Sequence, residues 1–205
     1  MSPRRGSGVL SEYKRNPLLL TLWCVYDNIL TEMTSYEELW GIAEDNFGLI
    51  TSKQAVEIGI SRQCVRALAD TGRLIRLGHG VYRVQHHVPN RLDVYASAIA
   101  LVGETGYLRG ASVIALFDLC PTSPEIVYVG AVGRVRRKLE RGIRLVDMRP
   151  CETVVYDGIR CQPLVEALKT ARDEGMIEQD RIADAARVAK EKGLISYEEC
   201  AEFQS

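Results

Sequence analysis

The stretch Leu49 to Val84, LITSKQAVEIGISRQCVRALADTGRLIRLGHGVYRV, restricts the fold more than any other part of the chain. Thr51 followed three residues later by Gln54 has the spacing of a helix-capping box, and Ala55, Val56 and Ile58 give the short helix an apolar face. Gly59 suits the left-handed position that ends a helix sharply, and Ile60 is placed to fill the turn's core. Ser61 caps a second helix that Gly72 ends. Two alternating runs follow, Arg73 to Leu77 and Val81 to Val84, joined by Gly78-His79-Gly80, the composition of a tight hairpin. Helix, turn, helix and hairpin in that order outline a winged helix-turn-helix.

In the second helix Val65 and Leu68 mark the inward face, with Cys64 beside them, which leaves Arg62, Gln63, Arg66 and Asp70 outside. The N-terminal residues of that helix enter the major groove in such a module. Arginine can bond guanine through two hydrogen bonds and glutamine can do the same with adenine, so Arg62, Gln63 and Arg66 are predicted base readers. Lys53, Arg73, Arg76 and Arg83 add local positive charge for phosphates. His79 at the hairpin tip reads two ways, as a phosphate or minor-groove contact and as an ordinary polar tip residue. His86 and His87 have no carboxylate or cysteine at ligand spacing, so no metal site is expected and the pair reads as a linker.

The head sits in a longer chain. Residues 1–34 read as an N-terminal extension, polar and weakly ordered at first, with an apolar helix after Pro17. That apolar run, Leu18 to Tyr26, is too short to span a bilayer, and no small-residue cleavage site follows it as in a signal peptide. Met33 would itself make a natural start, so the residues before it read as an extension, with a start-site artefact as the alternative. Ser35-Tyr-Glu-Glu reads as a capped start for the first helix of a head spanning 35–88. Residues 89–205 read as a mixed α/β second domain, and the whole as α/β (α+β). Helices are expected at Leu92–Val102, Ala111–Leu119, from Pro163 to about Asp173, at Asp180–Lys190, and after Ser196. Strands are expected at 126–132, 143–148, 153–156 and 159–161, the last two around an Asp157-Gly158 turn.

The densest basic cluster, Arg134, Arg136, Arg137, Lys138, Arg141 and Arg144, lies in this second part. It reads as an auxiliary DNA-phosphate contact, as a contact for an acidic partner or RNA, or as a solvated turn. With a formal net charge of -1 the chain has no basic coat, so any nucleic-acid surface must be local. The six cysteines form no CxxC pair and read as reduced thiols, mostly buried, in a cytoplasmic protein. Catalytic motifs for nucleotide, metal or serine chemistry are missing, and the expectation is a protein that is not an enzyme, with no cofactor. The weak alternative is a nuclease using Asp118, Glu125 or Asp147.

The residues Gly48 to Thr51, Gly59 to Arg62, Leu68, Gly72 to Leu74 and Arg76 to Arg83 resemble the N-terminal domain of the AbiEi family. RLDVYASAIALVGETGYLRGASVIALFDL and VYVGAVGRVRRKL are similar, less sharply, to that family's second domain. The resemblance implies an antitoxin of a type IV toxin–antitoxin system. Such a protein represses its own operon at an inverted-repeat operator, possible as a homodimer, and opposes a nucleotidyltransferase-like toxin, directly or indirectly. The alternatives are a plain winged-helix regulator and an antitoxin that binds and blocks its toxin.

Overall fold

A computed structural model describes residues 32–120, 126–133, 135, 139, 141–147 and 151–204. The apolar helix expected after Pro17 and most of the basic cluster (Arg134, Arg136, Arg137 and Lys138) lie outside the described residues.

The first described helix, α1, covers residues 32–44. Ser35 therefore lies inside it, and the capping box expected there does not form, because the chain is already helical from residue 32. Strand β1 (Leu49–Thr51) leads directly into α2 (Ser52–Glu57), and α3 spans Arg62–Asp70. The Thr51–Gln54 capping box is present in both directions, and the Ser61 hydroxyl accepts from the Cys64 amide. Between the helices Gly59 takes φ +88°, a conformation side chains disfavour, and the Ile60 amide donates back to the Ala55 carbonyl. This turn drives Ile60 into the core.

Strands β2 (Leu74–Gly78) and β3 (Val81–Val84) form the expected hairpin. β1 adds to the other edge of β3, giving a three-stranded antiparallel sheet in the order β1-β3-β2. β1 was not legible as a strand, since its three residues merge into a helix cap. Leu39, Ile50, Ala55, Val65, Leu68, Leu74 and Tyr82 close the head's core. Fully burying a side chain such as Val65 or Leu68 contributes roughly 1.5–3 kcal/mol, and that burial fixes which face of α3 looks outward.

The second part begins with α4 (Asp93–Val102) and continues through β4 (Gly106–Leu108), α5 (Ala111–Leu116), β5 (Val127–Ala131), β6 (Ile143–Asp147), β7 (Val154–Tyr156) and β8 (Ile159–Cys161). Helices α6 (Leu164–Asp173), α7 (Gln179–Glu191) and α8 (Tyr197–Ala201) complete it. Its sheet is mixed, ordered β6-β5-β4-β8-β7, with β5–β6 and β4–β8 parallel and the other pairs antiparallel. The fold is thus the expected mixed α/β one. The turn at Asp157 and Gly158 has positive φ at both residues, as a two-residue hairpin requires. Ser196 and Glu199 form the expected capping box of α8, and bonding to the Ser196 amide holds the Glu199 carboxyl below its ordinary pKa. β4 was missed from sequence, because Gly106-Tyr107-Leu108 is too short to show a period.

The two parts pack on each other. Ile50 faces the head's core while its neighbour Leu49 belongs to the larger core of the second part, so β1 is a wall shared by both. His87 and Asp93 meet across the junction, Nε2 to Oδ2 at 2.8 Å, with both side chains largely buried. The His87 ring lies so close to Gly48 that a Cβ there would stand 2.4 Å from it.

Candidate nucleic-acid interface

The face of α3 opposite Val65 and Leu68 carries Arg62, Gln63 and Arg66, all exposed. Arg62 is the first residue after the Ser61 cap, and Arg66 follows one helical turn later on the same side. Among the described residues none of the three side chains makes a hydrogen bond or ion pair. Their donors are therefore free for a ligand, and the positive end of the helix dipole lies beside Arg62. The structure brings these residues together as the helical spacing predicted.

The flanking cations divide. Arg76 is exposed on β2, the outer strand of the head's sheet, and His79 is exposed at the hairpin tip. Arg73 lies over the Tyr36 ring, 5.6 Å from its centroid. Burial pushes the Tyr36 hydroxyl above its ordinary pKa, and the Arg73 charge works against that shift. Arg83 turns inward and donates to the Ser97 hydroxyl on α4 at 2.7 Å. That contact is structural and joins β3 to the second part. Lys53 is held by the Glu104 carboxylate, with Glu57 at 3.8 Å on the other side, so its charge is locally compensated.

Of the second part's basic cluster, Arg141 and Arg144 are described, and both are exposed. Arg144 lies 5.9 Å from the centre of the Tyr128 ring, while Arg141 borders a recess that Arg83 also lines. Two of the three residues put forward for nuclease chemistry are among the described residues. Asp118 is exposed after α5, Glu125 lies outside the described residues, and Asp147 ends β6. Among the described residues no three His, Cys, Asp or Glu side chains come together as a metal site, and no helix is long and apolar enough to cross a membrane.

Sequence reasoning missed the partners that arrive from far along the chain. His86-His87 read as a linker, yet Asp93, the first residue of α4, clasps His87. Glu104, beyond the glycine that ends α4, reaches Lys53, while its carbonyl accepts from Arg160 of β8. Arg109 is buried and donates to both carboxylate oxygens of Glu174, with Nη1 to Oε2 at 3.0 Å. No local spacing signals these pairs.

A head with two capped helices joined by a glycine turn, an exposed basic helix and a hairpin at its flank has the arrangement of a helix-turn-helix module. Residues 42–85 match the family described as "Transcriptional regulator, AbiEi antitoxin". Over that span, 44 of the chain's 205 residues, the head is similar to this regulator and antitoxin family. The matched span runs from late α1 to the end of the hairpin and contains every head residue discussed above as a DNA contact. No curated protein matches the chain.

Proposed function

We propose that this protein is a type IV antitoxin and autorepressor that reads an inverted-repeat operator with Arg62, Gln63 and Arg66. One observation carries this reading. Those side chains stand exposed, and unpartnered among the described residues, at the start of a helix whose opposite face is fixed in the core by Val65 and Leu68. Lys53, Arg73, Arg76 and His79 supply phosphate contacts around them, and Arg83 serves the junction instead. A symmetric operator matches a dimer, one head per half-site. In this reading residues 35–88 are the DNA-binding head. Residues 89–205 carry the activity against a nucleotidyltransferase-like toxin, and Arg134 to Arg144 provide an auxiliary contact. The family description, which joins regulation to antitoxin action, supports pairing the two roles.

The test is a gel-shift titration on the DNA upstream of the protein's own gene. Arg62→Ala and Arg66→Ala should each cost roughly 1–3 kcal/mol of specific binding. Neutralising Arg136, Arg137 and Lys138 together should weaken binding across sequences and flatten its salt dependence. Operator affinity unchanged in both single variants would exclude the base-reader assignment.

A further inference from the structure

A groove of about 910 Å³ runs between the head and the second part. Its floor presents apolar surface from Phe47, Ile99 and Ala100, partly buried residues among its lining. Its rim is basic: Lys53 and Arg62 line it from the head, with His79 at the hairpin tip, and Arg160 lines it from β8. The one carboxylate on the rim, Glu104, is engaged by Lys53, and Arg160 meets only the Glu104 backbone carbonyl. Arg62 and Arg160 therefore face the groove without a carboxylate partner among the described residues.

Such a combination has a ligand class. Small-molecule sites favour junctions between packed units, are mostly apolar, and carry a few convergent polar groups that orient the ligand. Two uncompensated guanidiniums above an apolar floor select an anionic head group on a flat apolar body. DNA alone does not account for the floor, because a phosphate backbone offers nothing to Phe47 or Ile99.

We propose that this groove is an effector site for a small amphipathic anion bearing a carboxylate, sulfonate or phosphate group. Arg62 belongs both to the groove and to the recognition helix, so an occupant competes with operator DNA for the same guanidinium. That coupling, though not the site itself, rests on the DNA reading given above. Because the two ligands share one residue, their antagonism is reciprocal by linkage.

The experiment uses the full chain and 8-anilinonaphthalene-1-sulfonate, a fluorescent amphipathic anion, as the probe. Saturable binding of one probe per chain is expected. Arg160→Ala, an exposed position outside the proposed DNA contacts, should weaken it about tenfold through loss of one charge-assisted contact. Val132→Trp, an exposed position on the groove wall, should abolish it by filling space. Circular dichroism confirms that both variants remain folded. Unsaturable uptake, or saturable binding that both folded variants leave unchanged, overturns the proposal. Operator binding by Arg62→Ala is measured in parallel. If the probe binds as expected and that variant keeps full operator affinity, the coupling through Arg62 fails while the site stands.

Discussion

Leu49 and Ile50 are adjacent in the chain and point into different hydrophobic cores, Leu49 into the second part's and Ile50 into the head's. Both are essentially inaccessible to solvent. A strand alternates its faces, so a two-residue stretch of β1 can serve as a wall with a core on either side. The head is therefore built against the second part, and the signal from one can reach the other through a packed strand.

This shared wall predicts a single cooperative unfolding transition. Leu49→Ala should cost about 2–5 kcal/mol, the range for truncating a buried leucine, and should destabilise head and second part together. Urea denaturation followed by Trp40 fluorescence in a Trp23→Phe background, and by far-ultraviolet circular dichroism, should give coincident curves. Two separated transitions would show that the wall does not couple them.

The pair between Lys53 and Glu104 predicts a gain of DNA affinity on removing an acid. Glu104 occupies the Lys53 ammonium as a phosphate would. Glu104→Gln should release that charge and steepen the dependence of log K on log salt by about 0.9, the slope expected for one more phosphate contact. Both side chains are mostly exposed, so the effect on folding stability should be small. Filter binding of non-specific duplex DNA at several salt concentrations measures the slope, and an unaltered slope would rule Lys53 out of the DNA surface.

The ion pair of Arg109 with Glu174 predicts an asymmetric response to mutation. Arg109 is buried while Glu174 keeps 35% side-chain exposure. Glu174→Ala should cost about 1–3 kcal/mol, because it strips a carboxylate from a buried guanidinium that water only partly reaches. Replacing both residues with apolar ones should recover part of that loss. Thermal melts of the single and double variants decide it, and equal losses that simply add would contradict a coupled pair.

Cys161 predicts a loss of stability in alkali. Its side chain is fully buried at the end of β8, and burial pushes the thiol from about 9.0 up to about 11. Below the lower value the thiol is protonated in both states. Between about pH 9 and pH 11 only the unfolded chain ionises, so folding stability falls as pH rises, by roughly 2–3 kcal/mol at most. Urea titrations of the wild type at neutral pH and near pH 10 should show this drop, and Cys161→Val should lack its share of it. An identical alkaline loss in both proteins would refute the assignment.

The sequence by itself determined α2, α3 and the hairpin of the head, and the outward face of its recognition helix. Capping signals at Thr51 and Ser61, a turn glycine at position 59 and the Val65–Leu68 spacing are local, and local chemistry reads directly from neighbouring residues. It also placed most helices and strands of the second part, including the Asp157-Gly158 turn. Ser35 shows the limit: a correct capping pattern sits inside a helix, because the upstream chain is already helical. Only the tertiary structure decided that Arg83 faces Ser97, that Glu104 holds Lys53, that His87 clasps Asp93, and that Arg62 and Arg160 share one groove. Those relationships depend on how the two cores pack against β1. Contacts that form only when separate elements pack together leave no periodicity in the chain for a reader to find.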